Sequence, residues 1–78
     1  MSQRRVGKGT VMSKSVATGK IKEYLRLIKV CEIPDLYGNY RILKGMIEMA
    51  WFLDAISEQE YCRATNDANE VYGRRTGY

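Results

Sequence analysis

Residues 46–53 read MIEMAWFL, with seven apolar side chains out of eight and Glu48 as the exception. A helix on the outside of a small protein needs one apolar stripe. This one carries apolar side chains around most of its circumference, so more than one neighbour has to cover it. The cover can come from the rest of the chain, a second copy or a different protein. A segment of this kind belongs at the centre of a helical bundle.

Extended in both directions, the helix runs from the PDLYGN cluster at 34–39 to about Ala55. Leu36, Tyr40, Leu43, Ile47 and Ala50 make one face, and Ile42, Met46, Met49 and Leu53 make a second, adjoining one. PDLYGN reads as a turn, with either Asp35 or Asn39 as the cap of the helix that follows. Gly45 costs about 1 kcal/mol relative to alanine, and its expected use is to let a neighbouring helix approach. Met46 and Met49 are expected to fill the core, methionine's common use.

Before this helix, Ala17, Ile21, Tyr24, Ile28 and Cys31 recur at steps of four, three, four and three, and Leu25 widens the stripe. The pattern predicts a helix over 16–33, capped by Ser15 or Thr18. Its end is set by Pro34, which pushes the preceding residue away from helical angles.

After it, Ser57-Glu58-Gln59-Glu60 is a capping box, flanked by Ile56 and Tyr61 as a hydrophobic staple. Tyr61, Ala64, Ala68, Val71 and Tyr72 form a narrow stripe, and Gly73 is a natural stop. The expectation is an all-α fold, an up-down-up three-helix bundle, because short connections favour antiparallel neighbours. The domain spans 15–73, after a flexible basic arm at 1–14 and before a tail at 74–78. The chain's 78 residues suffice for one domain with a thin core, which a partner or second copy often completes.

The net charge of +4 is unevenly spread. Residues 1–30 hold eight Lys/Arg against the single acid Glu23, whereas residues 31–73 hold three Lys/Arg against eight acids. The start, MSQRRVGKGT, has no apolar run behind its positive charges, so no secretory leader is expected. The longest apolar run, MAWFL, is far short of the roughly 20 residues of a membrane span. A cytoplasmic protein without a membrane partner is expected, with Cys31 and Cys62 as reduced thiols.

Histidine is absent, and the two cysteines form no CxxC pair, so no metal site or cofactor is expected. GKGT and ATGK fail the Walker pattern: Gly7-Lys8 is followed by Gly9 and Gly19-Lys20 by Ile21, with no strand before either. The acids of the third helix are explained by capping and solvation, and a bundle of this size has little room for a substrate pocket. No catalytic residues are assigned, and the chain is not read as an enzyme.

Two binding surfaces compete. On the central helix, Arg41, Lys44, Glu48, Trp51 and Ala55 form the most polar row. The only tryptophan lies on it, and such a side chain anchors interfaces well. Glu58, Glu60, Asp67 and Glu70 on the third helix suit a basic surface on another protein. The alternative is nucleic acid, met by Arg4, Arg5, Lys8 and Lys14 in the arm and by Lys22, Arg26 and Lys29 on one face of the first helix. A helix-turn-helix reading fails, because the four acids of the third helix would repel phosphates.

In build the chain resembles the small accessory proteins of phages and mobile elements: short, helical and without catalytic apparatus. Many of those bind and inhibit a host protein. The resemblance implies a non-catalytic protein-binding module that inhibits or regulates a larger host protein or nucleoprotein assembly, in the host cytosol if phage-encoded. A homodimer also fits the thin core.

Overall fold

The computed structural model describes residues 13–77. They form three α-helices, α1 (Lys14–Val30), α2 (Ile33–Phe52) and α3 (Glu58–Thr76), with no strand among the described residues. Each helix packs against both others. Lys14 at the start of α1 reaches Glu60 at the start of α3, and Arg75 at the end of α3 donates to the Ile28 carbonyl near the end of α1 (3.0 Å). The outer helices are therefore parallel and α2 runs back between them, the expected up-down-up bundle. Residues 1–12 of the expected flexible arm at 1–14 lie outside the described residues.

The helix ends differ from the sequence reading in ways that have local causes. α1 is capped by Ser13, whose Oγ accepts from the Val16 amide at 3.2 Å. Lys14 thus belongs to the helix rather than to an arm. At the other end Cys31 and Glu32 are both extended and form the whole link to α2. Pro34 sits in the first turn of α2, where an amide has no intrahelical acceptor to lose. A proline can open a helix as readily as it closes the one before, so PDLYGN forms the first turns of α2 rather than a loop.

α2 stops at Phe52, short of Ala55, through a Schellman arrangement. The Asp54 amide donates to the Trp51 carbonyl (3.0 Å) and the Ala55 amide to the Ala50 carbonyl (2.8 Å). Asp54 takes the left-handed position, φ 61°, usually held by glycine. The turn drives Ala55 and Ile56 into the core.

The capping box of α3 forms as read: Ser57 Oγ accepts from the Glu60 amide at 3.1 Å, and Glu60 Oε1 accepts from the Ser57 amide at 2.8 Å. α3 continues past Gly73 to Thr76 and ends on Gly77, whose φ of 94° marks it as the true left-handed cap. Within the extra turn Arg74 pairs with Glu70 (2.7 Å) and Thr76 Oγ1 donates to the Tyr72 carbonyl (2.9 Å).

The core is thin. Ala17, Ile21 and Ile28 of α1 meet Leu36, Leu43, Ile47 and Ala50 of α2 and Ala68 and Val71 of α3, closed at one end by Ala55 and Ile56. Among the described residues the large side chains with essentially no exposure are Ile28, Leu43 and Ile47. Tyr24, Leu25, Tyr40, Met46, Tyr61 and Tyr72 pack around this centre half-buried.

Candidate protein-interaction surface

Both neighbours of α2 sit on its Leu36–Leu43–Ile47–Ala50 face. The adjoining apolar face is left open. Ile42 is 48% exposed, Met49 51% and Phe52 79%, with Leu53 and Trp51 exposed beside them. Only Met46 of the second face is half-buried against the core. The expectation that Met49 fills the core is therefore corrected, because α1 and α3 share one side of α2 rather than taking opposite sides.

Gly45 lies among these side chains, and among the described residues no packed neighbour comes within 4 Å of where its Cβ would be. The same holds at Gly38, two helical turns earlier. Among the described residues no helix makes the close approach that Gly45 was expected to permit. Gly45 instead floors a shallow open groove bounded by Glu48, Met49, Trp51, Phe52 and Tyr61.

Trp51, expected on the outward row, is partly packed and partly exposed. Its ring stacks on Tyr61 of α3, centroids 4.6 Å apart and planes 24° from parallel, yet it stays 43% exposed. One ring face thus helps close the α2–α3 seam while the rest borders the groove. Elsewhere the charged row divides. Arg41 is exposed, its guanidinium 5.8 Å from the Tyr37 ring centroid. Lys44 is half-buried and turns toward α3, donating to Asn69 Oδ1 (3.3 Å), which also accepts from the Tyr40 hydroxyl (2.5 Å). Tyr40 in turn stacks on Tyr72 at 4.1 Å. Lys44 therefore belongs to a polar seam between helices. Glu48 is exposed at the groove edge. Ala55 does not belong to the outward row, because the chain has already left the helix and buried it.

The acids of α3 also divide. Glu60 serves the capping box and bonds Lys14, and these contacts, Lys14 first, hold its carboxyl at about 2 against an ordinary 4.5. Glu70 pairs with Arg74. Glu58 and Asp67 remain exposed, with no ion pair among the described residues. On α1, Lys22, Arg26 and Lys29 are exposed, and none of them pairs with a carboxylate among the described residues. Lys14 stands apart from them at the helix start. Arg4, Arg5 and Lys8 lie outside the described residues.

Cys31 is half-buried at the end of α1 and Cys62 is exposed on α3, and both are free. Among the described residues no three His, Cys, Asp or Glu side chains gather as metal ligands. Among them, too, no helix is long and apolar enough to cross a membrane.

Phe52, Ile42 and Gly45 were not singled out as binding residues by sequence reasoning. The signal for Phe52 was present: two residues past the core position Ala50, it lies about 200° around the helix and so points away from the core. Comparison of the chain with protein-family models, with curated proteins and with solved structures finds no match to any of them.

Proposed function

We propose that this chain is a non-catalytic protein-binding module whose contact surface is the outer face of α2. The observation that supports it is Phe52, four-fifths exposed and continuous with Met49, Ile42 and Trp51 beside the open backbone of Gly45. Single exposed apolar residues are ordinary, whereas a contiguous patch on a rigid helix marks an interaction site. An aromatic pair with a polar rim, here Arg41 and Glu48, matches the composition of interface centres. Regulation or inhibition of the bound protein follows from occupancy alone and needs no chemistry from the chain.

The test is capture by the tagged chain from nuclease-treated extract of cells that also express the untagged chain. The wild type retains a polypeptide in stoichiometric amount and Phe52→Asp loses it, while circular dichroism shows both folded. Equal retention by the two proteins removes α2 from the reading.

The basic face of α1 supports a second reading. Lys22, Arg26 and Lys29 lie at spacings of four and three and are exposed without carboxylate partners among the described residues. Such a row suits sequence-independent contact with a phosphate backbone. A steep fall of nucleic-acid binding with added salt, lost in Lys22→Glu/Arg26→Glu, would move the function to α1.

A further inference from the structure

The outer face of α2 carries a pattern that is complementary to itself when reversed. Along this helix Arg41 and Glu48 lie on one flank of the open apolar row, seven residues apart. Ile42 and Met49, also seven apart, lie in the row itself, and Gly38 and Phe52 lie at its two ends. The midpoints of all three pairs fall within half a residue of Gly45. At a rise of about 1.5 Å per residue, that is a shared centre to within about 1 Å.

We propose that this face pairs with the same face of a second copy of the chain, the two α2 helices antiparallel about a two-fold axis beside Gly45. The inference rests on the reading of this face as a protein-contact surface and names its occupant. In an isologous contact each pair of positions is made twice, so a self-complementary pattern is what such an axis requires. Here Arg41 of each copy faces Glu48 of the other. Ile42 meets Met49. Phe52, the most exposed apolar side chain of the described residues, lies over the bare backbone at Gly38. The two Gly45 positions come together at the crossing, where a missing Cβ lets helix backbones approach closely. A parallel two-fold pairing would instead lay the charged flank of each copy beside the Ile42–Met49 flank of the other, so the Arg41–Glu48 contacts select the antiparallel arrangement.

Sedimentation equilibrium of the full chain over a concentration series, with circular dichroism of every variant, tests the proposal. The wild type self-associates to a dimer. Arg41→Glu and Glu48→Arg each weaken the dimer at least about tenfold, because two attractive contacts become two repulsive ones. Mixing these two variants restores association. One copy then carries acids at positions 41 and 48 and the other carries arginines at both, so each of the two contacts again joins opposite charges. Gly45→Leu stays folded, as the space outside its backbone is open in the single copy, and it loses the dimer.

A monomeric wild type overturns the proposal, as does a dimer indifferent to all three changes or a mixture that fails to associate. A monomer that still retains a different polypeptide in the capture experiment, and loses it on Phe52→Asp, leaves the contact surface standing and removes only the second copy as its occupant. A monomer that retains nothing removes both.

Discussion

Trp51 and Phe52 are adjacent in sequence and aromatic, yet the structure assigns them opposite energetic roles. Replacing a fully buried core aromatic by alanine costs about 3–5 kcal/mol. Trp51 is 43% exposed, so somewhat over half of its area contributes to the fold, and its stack on Tyr61 at 4.6 Å adds to that. Trp51→Ala should therefore lower folding stability by about 2 kcal/mol, with about 1 kcal/mol shared with Tyr61 as the coupling of an aromatic pair. Phe52 is 79% exposed in the single copy, and Phe52→Ala should cost the monomer, at protein concentrations below self-association, less than about 0.5 kcal/mol. The measurement is urea denaturation followed by far-ultraviolet circular dichroism, for both single variants and for the Trp51→Ala/Tyr61→Ala cycle. A domain of this size has only a few kcal/mol in total, so a loss of about 2 kcal/mol is readily resolved. Equal losses at the two positions would refute the packing described for the end of α2. A Trp51→Ala loss without coupling to Tyr61 would refute the stack.

The turn and caps give further expectations. Ser57→Ala should cost about 1 kcal/mol through loss of the α3 cap, read as a lowered denaturation midpoint. Asp54→Gly should raise stability by about 0.5–1 kcal/mol in the same assay, because its left-handed backbone suits glycine, while Asp54→Val should lower it. Glu60 is held at about 2 in the fold against an ordinary 4.5, so its contribution is present above 4.5 and fades as pH falls toward 2. The difference in melting temperature between wild type and Glu60→Gln should narrow across that window, and a constant difference would contradict the Lys14–Glu60 contact. Peptide mapping without reductant should find Cys31 and Cys62 unbridged within a monomer.

Much of the fold was legible because its signals are local. The capping box at Ser57 depends on four consecutive residues and survives any tertiary arrangement. The stripes of α1 and α3 led directly to the buried positions Ala17, Ile21, Ile28, Ala68 and Val71. Where two residues offered the same signal, the sequence could not choose between them. Gly73 and Gly77 can each end α3, and the contacts made by Arg74, Arg75 and Thr76 carry the helix to the second. Pro34 is compatible with both the end of one helix and the start of the next. The open face was hidden for a different reason. Periodicity shows that α2 has two apolar faces, but which one is covered depends on the side where α1 and α3 both settle, a tertiary fact.

That fact bears on why the outer face of α2 is apolar at all. Leu43 and Ile47 are accounted for by the fold, since removing either would empty a site with no solvent exposure. Phe52, Met49 and Ile42 have no such account: a lysine or glutamine at any of them would keep helix propensity and remove apolar area from water at little cost to folding. Gly45 is further from explanation by the single chain, since alanine there would favour the helix by about 1 kcal/mol and meet no packed neighbour. Four positions on one face thus carry residues that the isolated domain does not use. Contact with a second helical surface makes use of all four together, the apolar side chains as buried area and the glycine as room for approach. The exposed charges of α1 do not pose the same question, because solvated lysine and arginine are at home on any helix surface. The outer face of α2, rather than the basic row of α1, is where this chain departs from what its own folding requires.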